Sequence, residues 1–209
     1  MASDITLKFN GDKVGLVVRG KLSAAHEPGN MEQHADCILP DGAPVGFFGE
    51  GDGDKLNSIG MSMKGAVYDH KELLIHRKPY VDFKTAIAYN VISTVLAIAV
   101  DKKQADLFKK YWSKLDKSPG TFNILGGNCS THASESFVYA GILKNGIPGL
   151  DTPNNLYKQL VKVHGASTKS YSGNVGFNAN AKGGGFDVVI RPYIASPAVP
   201  APNQSSSSF

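Results

Sequence analysis

The order of apolar patterns along the chain predicts an α+β fold, with helices packed on an antiparallel sheet. Segments that alternate between apolar and polar residues occupy much of the first 75 residues, as strands do. Helical patterns follow, and one further strand candidate comes late. Of the 209 residues, 42% are hydrophobic and 19% are charged, which is the range of an ordinary globular protein. We therefore expect a single domain over residues 1–195.

Strand candidates come first, and turn residues separate several of them. Asn10-Gly11-Asp12 would join the first two strands as a hairpin, and Pro40-Asp41-Gly42-Ala43 would join the next two. The candidates are residues 5–9, 14–19, 34–39, 45–48, 58–63 and 66–75. The polar, glycine-rich segment 50–57 is expected to be a loop.

Helix candidates follow from residue 82 onward. Residues 82–100 are apolar nearly all round, which favours a buried helix, and their apolar window is shorter than the ~20 residues of a spanning helix. We therefore expect no integral membrane segment. Further helices are predicted at 102–115, with lysines opposite an apolar stripe, at 129–143, and at 152–164. The last strand candidate is 186–194, and the Pro-, Ala- and Ser-rich tail 196–209 is expected to be disordered.

Cys129 is the strongest candidate for chemistry. It follows Gly126-Gly127-Asn128 and opens a predicted helix. The N-terminus of a helix carries about half a positive charge and unpaired N–H groups, which favour a thiolate and can receive an oxyanion. The chain's other cysteine, Cys37, lies in an apolar strand and is expected to be inert core. Two cysteines are too few for a disulfide framework, so we expect both to be free.

A cysteine nucleophile needs a nearby base, and the chain offers six histidines. His34 opens a predicted strand and would place a polar group at the mouth of that strand. His132 lies one helical turn after Cys129, where both side chains lean along the same surface, so its expected role is structural. The functional interpretation of Cys129 and His34 is a Cys–His pair; the alternative is a buried thiol and a core histidine.

Other classes of function find little support in the sequence. No paired cysteine spacing indicates a metal site, and Gly183-Gly184-Gly185 is not followed by the Lys-Ser/Thr of a phosphate loop. We expect no cofactor, no metal and no nucleic-acid partner. The net charge of +4 comes from dispersed lysines, typical of a solvated surface, although attraction to an anionic polymer or membrane face is an alternative. The first residues lack the pattern of a Sec signal.

The segment Asn128-Cys129-Ser130-Thr131, the helix after it and residues 151–157 resemble the NlpC-type papain-like cysteine peptidases. The histidine strand, His34-Ala35-Asp36, precedes the cysteine in the chain. That order resembles the circularly permuted branch of the family, which includes lecithin–retinol acyltransferase-like proteins. The resemblance implies a papain-like antiparallel sheet packed against helices.

Carried over to this chain, the resemblance implies that Cys129 is the nucleophile and that His34 is the general base and then the general acid. For the third residue, Glu50 would lie opposite His34 if the hairpin closes with a three-residue loop, and a one-residue slip would turn it to the other face. Asp36 shares a face with His34 and is the alternative; Asp69 and His70 also remain open. Backbone N–H groups near Cys129, with Asn128, would support the oxyanion.

These residues predict a cysteine hydrolase that cleaves amide bonds through a thioester. The resemblance implies a peptide of peptidoglycan as the substrate. By analogy, we expect an antibacterial effector, made in the cytoplasm and exported by a type VI secretion system to a target-cell periplasm, with an immunity protein and a secretion component as partners. The alternatives are a lipid acyltransferase or thioesterase with the same dyad, and a papain-like binding module with an unreactive Cys129.

Overall fold

A computed structural model describes residues 3–29, 33–50, 62–123, 127–146, 152–180 and 184–194. Its described part has an α+β fold with nine strands in one antiparallel sheet and five α-helices, which confirms the predicted class. The strands are β1 (Ile5–Lys8), β2 (Lys13–Arg19), β3 (Ala35–Ile38), β4 (Pro44–Gly49), β5 (Ser62–Tyr68), β6 (Ile92–Ala99), β7 (Thr121–Asn123), β8 (Thr168–Ala179) and β9 (Phe186–Pro192). The helices are α1 (His70–His76), α2 (Phe83–Ala88), α3 (Lys102–Lys117), α4 (Cys129–Tyr139) and α5 (Pro153–His164).

The sheet order is β1-β9-β8-β6-β2-β3-β4-β5-β7, which places β2 and β3 near the middle. The predicted β3–β4 hairpin is confirmed, but the hairpin predicted between β1 and β2 is wrong. Instead, β1 pairs with β9, with Ile5 opposite Ile190, while β2 pairs with β6 and β3. Alternation indicates that a strand exists but does not select its partner, and this explains the error.

The buried helix predicted over residues 82–100 is wrong for most of its length. The short helix α2 ends near Asn90, whose φ of 51° turns the chain, and β6 follows. Seven of the eight residues of β6 are buried, since Leu96 and Ile98 belong to the apolar cluster on one face of the sheet and Val95 and Ala97 to the cluster on the other. A strand buried on both faces loses its alternation and then resembles a buried helix in sequence.

Two further segments differ from the expectation. Residues 66–75 were expected to be one strand, but β5 ends at Tyr68 and the side chain of Asp69 caps α1 by accepting from Lys71 N–H and Glu72 N–H. Strand β8 was not predicted, because its first half is polar and only its centre is fully buried. The loop assigned to 50–57, apart from its first residue, and the tail 196–209 lie outside the described residues.

Helices α3, α4 and α5 cover one face of the sheet, and their apolar side chains Phe108, Phe137 and Leu160 are buried against it. The other face carries a second cluster that includes Leu73 of α1 and Phe48 of β4. The amphipathic helix predicted at 102–115 and the two later helices are confirmed. In the ranges given above, no helix is long and apolar enough to cross a membrane.

Candidate active site

The start of α4 positions Cys129. The side chain of Asn128 caps the helix: its Oδ1 accepts from the backbone N–H of Thr131 at 3.0 Å and from the hydroxyl of Ser130 at 2.8 Å. Cys129 is therefore the first helical residue, where the positive end of the helix dipole favours an anion. Helix α4 packs on β3, and the Ala35 N–H lies near enough to the sulfur of Cys129 to lower the pKa of its thiol. The residue is only 7% exposed.

Strand β3 brings His34 and Asp36 to the same place. His34 directly precedes the strand, and its carbonyl accepts from the Arg19 N–H of β2 at 2.9 Å. Residues two apart on a strand share a face, and Nε2 of His34 lies 2.8 Å from Oδ1 of Asp36. Asp36 is fully buried, whereas the side chain of His34 is 15% exposed.

His34 and Cys129 lie close enough for each side chain to shift the pKa of the other. Because Nε2 of His34 is held by Asp36, Nδ1 is the ring nitrogen left for the sulfur. Burial raises the pKa of the Cys129 thiol, but the charge and hydrogen bond of His34 and the Ala35 N–H lower it more, and the net pKa is lowered. Burial lowers the pKa of His34, but Cys129 and Asp36 raise it well above its usual value. These shifts favour a thiolate beside an imidazolium.

Asp36 is held by Arg19 on the side away from His34. The Nε and Nη2 atoms of Arg19 lie 2.8 Å and 2.7 Å from Oδ2 of Asp36. Burial raises the pKa of Asp36, but the positive charges of His34 and Arg19 together lower it below its usual value. The carboxylate is therefore ionised between two cations.

Aromatic rings fix the plane of the His34 imidazole. Phe48 of β4 stacks on it with ring centroids 4.2 Å apart, and Tyr68 stacks on the far face of Phe48 at 4.7 Å. Tyr80 lies 6.0 Å from His34, and the Arg19 guanidinium sits over the Tyr80 ring at 4.6 Å. An aromatic face also favours a cation, so Phe48 supports the protonated imidazole.

Glu50 does not lie opposite His34, contrary to the expectation. The hairpin loop has three residues but is centred on Asp41, since Leu39 N–H bonds to Ala43 and Asp36 pairs with Gly46. Continuing this register places Phe48 opposite His34 and Glu50 two residues beyond. The Glu50 side chain is instead half exposed, and its Oε2 lies 2.9 Å from Nζ of Lys64. Asp36, the alternative, is the carboxylate that the structure brings to His34.

The remaining candidates are engaged elsewhere. Asp69 caps α1, and the His70 ring lies against the ring of Phe186 at 4.6 Å. Nδ1 of His132 lies 2.9 Å from the Tyr111 hydroxyl and 3.1 Å from Glu135, in keeping with its expected structural role. The other three histidines bond or stack with groups outside the site: His26, His76 and His164.

Cys37 lies on the opposite face of β3 from Asp36. Its sulfur is buried 3.9 Å from the Ser136 hydroxyl, and burial raises the pKa of the thiol strongly. Both cysteines are free, as expected. Among the residues that the structure describes, no group of three or more His, Cys, Asp or Glu side chains could hold a metal ion.

Comparison with known proteins gives no relative: no protein-family model, curated protein or solved structure matches this chain. A functional assignment therefore depends on the residues and geometry described above.

Sequence reasoning missed Arg19 and the ring contacts of Phe48 and Tyr80. Arg19 closes an apolar strand, Val14-Gly15-Leu16-Val17-Val18, and a charge at that point is ordinary at a strand end. The position of Arg19 in the site follows only from the β2–β3 register, which pairs Val17 with Asp36 and brings Arg19 beside His34.

We expect Asn128→Ala to lower the free energy of unfolding by about 1 kcal/mol, because the cap of α4 is lost. Asn128→Ser keeps a capping oxygen and is expected to stay close to wild type. Urea denaturation of the two variants measures the difference. Equal stability of both variants and wild type would contradict the capping role.

Proposed function

We propose that this protein is a cysteine hydrolase in which Cys129 is the nucleophile, His34 the general base and acid, and Asp36 the residue that orients His34. The observation that carries the proposal is the placement of His34, which lies 2.8 Å from Asp36 and close enough to Cys129, at the N-terminus of α4, to lower the pKa of its thiol. A nucleophile, a base in contact with it and a third group holding that base are the requirements of covalent acyl transfer.

The reaction follows from this arrangement. The Cys129 thiolate, formed by transfer of its proton to His34, attacks the carbonyl carbon of an amide, and the negative charge passes to the oxygen. Backbone N–H groups at the start of α4 would receive that oxyanion. His34 then gives its proton to the leaving amine as the C–N bond breaks, which leaves a thioester on Cys129. Water, deprotonated by His34, attacks the thioester and releases a carboxylic acid and the thiol.

The finer part of the proposal is a permuted NlpC-type, papain-like enzyme that acts on a peptidoglycan peptide. The resemblance around Cys129 and His34 supports it, and the order of the elements, with the β3 histidine before the α4 cysteine, agrees with the permuted branch. A net charge of +4 suits an anionic wall. Export as an effector by a type VI system, with an immunity protein as partner, belongs to the same proposal.

The test is the rate of iodoacetamide alkylation of Cys129 against pH, located by mass spectrometry. We expect fast labelling well below the ordinary thiol pKa of about 8.5, since the thiolate is the reactive form. His34→Gln is expected to abolish this fast labelling. Cys37 serves as an internal control, because its buried thiol with a raised pKa should stay unlabelled in the folded protein.

His132→Gln is the matched control, since His132 lies one turn from Cys129 but is bonded to Tyr111 and Glu135. It should label like wild type. Slow labelling of wild-type Cys129 at neutral pH would refute the catalytic proposal and favour a binding module. With reactivity established, peptidoglycan fragments and acyl-lipid substrates then separate the amidase from an acyltransferase.

A further inference from the structure

We propose that Arg19 is the positioning residue of this site: its guanidinium holds Asp36 with one carboxylate oxygen turned to His34 and so keeps the Cys129–His34 pair assembled. The inference deepens the proposed function and rests on it. Nothing in the sequence indicated that Arg19 lies at this site.

The two oxygens of Asp36 are divided between two partners. Oδ2 faces Nε and Nη2 of Arg19, at 2.8 Å and 2.7 Å, and Oδ1 lies 2.8 Å from Nε2 of His34. Rotation of the carboxylate would break both sets of contacts together. The Nε hydrogen bond and the charge of Arg19 on Oδ2 therefore favour the orientation of Asp36 in which Oδ1 faces the imidazole.

Arg19 is itself firmly held. It is 3% exposed, its guanidinium lies over the Tyr80 ring at 4.6 Å, and its Nη1 is 3.4 Å from the Ser93 hydroxyl. Charges interact more strongly inside a protein than at its surface, because the local dielectric constant is lower. The pair Arg191–Asp4 is bidentate, with Nε 3.0 Å from Oδ1 and Nη2 3.1 Å from Oδ2, but its side chains are 48% and 36% exposed, and solvent weakens it.

The charged and titratable groups around Asp36 and His34 come from several elements. They are Arg19 of β2, Cys37 of β3, Cys129 of α4, Tyr80 of the 3₁₀ turn Lys78–Tyr80, and Arg77, whose guanidinium lies 5.9 Å from the Phe48 ring. Within the described residues, Arg19 is the cation besides His34 that touches Asp36. Without it, His34 alone would oppose the rise in the pKa of Asp36 that burial causes. The carboxylate would also lose the contact on Oδ2 that turns Oδ1 to His34, and the imidazolium beside Cys129 would be held less well.

The experiment is a double-mutant cycle read by the pH profile of Cys129 alkylation. Arg19→Gln is expected to move the acid limb of the profile to higher pH by at least about one unit, which is about tenfold slower labelling at a pH on that limb. Asp36→Asn should move the limb in the same direction. In the Asp36→Asn background, Arg19→Gln should add nothing, because Arg19 acts through the carboxylate.

Arg191→Gln is the matched control and should leave the profile unchanged. If Arg19→Gln does not fold, Arg19→Lys takes its place in the cycle. Lysine keeps the charge but loses the planar guanidinium and its Nε hydrogen bond, so a smaller upward shift is expected, again absent in the Asp36→Asn background.

A folded Arg19→Gln protein, or failing that a folded Arg19→Lys protein, with the wild-type limb would overturn the inference. So would an equal shift with and without the Asp36 carboxylate. Failure of the proposed function looks different: wild-type Cys129 would then label no faster than an ordinary thiol, before any variant is made.

Discussion

If the proposed function holds, Cys129→Ser is expected to reduce the hydrolysis of the proposed substrate, a peptidoglycan peptide, by about 10⁴-fold or more, the scale seen when a covalent nucleophile is removed. A serine hydroxyl is far less acidic than a thiol. The imidazolium of His34, the Ala35 N–H and the helix dipole can stabilise a thiolate here, but they cannot keep an alkoxide. The measurement is release of free amines from purified muropeptides, with the folded state of the variant checked by circular dichroism.

Cys37→Ser is the control for that experiment, because Cys37 lies on the other face of β3 beside Ser136. It should keep most of the wild-type rate. If Cys129→Ser were fully active on a muropeptide that the wild type cleaves, Cys129 would not be the nucleophile.

Asp36→Ala is expected to lower the free energy of unfolding by about 3–5 kcal/mol, because it leaves Arg19 as a buried, unpaired charge. Glu50→Ala removes the exposed Glu50–Lys64 pair and should cost less than about 1 kcal/mol. Urea denaturation at neutral pH compares the two.

This pair of variants also separates the two candidates for the third residue, since Asp36→Ala should slow Cys129 alkylation and Glu50→Ala should not. If the two variants lost the same stability and slowed Cys129 alkylation equally, Asp36 would not be the carboxylate that acts on His34.

The stabilisation from Asp36 should depend on pH in a definite direction. Its pKa in the folded protein is lower than its usual 3.8, so the unfolded chain binds its proton more tightly. The stabilisation is therefore present above pH 3.8 and is lost as the pH falls through the folded-state pKa. His34 has the opposite sign, since its raised pKa gives a stabilisation that is lost as the pH rises through the folded value.

Local signals were enough to predict Cys129 at a helix start, His34 at a strand edge and Asp36 on the same face as His34. Each of these depends on neighbours within a few residues. The expected position of Glu50 depended on the register of the β3–β4 hairpin. The loop is centred on Asp41, one residue earlier than that expectation required, so Phe48 and not Glu50 lies opposite His34. The contact between Arg19 and Asp36 depends on the pairing of β2 with β3, which no local pattern in the sequence indicates.

Prediction of the fold from sequence was limited in the same way, by contacts between residues far apart in the chain. The amphipathic stripe of α3 identifies a helix because only one side of it is buried. Strand β6 is buried in the apolar clusters on both faces of the sheet and carries no stripe at all, so its apolar run was mistaken for a helix. The partner of β1 lies at the far end of the chain, in β9, and no local pattern could have named it.

His34 and Asp36 occupy one strand edge two residues apart, so a single stretch of backbone sets the distance between them. A mutation that realigned β4 would shift Phe48 and Glu50 but would leave the imidazole–carboxylate bond intact. The proposed catalytic pair and strand β4 can therefore diverge at separate rates during evolution. Random mutagenesis confined to β4, with Phe48 held constant, should change the surroundings of the proposed site while the contact between His34 and Asp36 is kept.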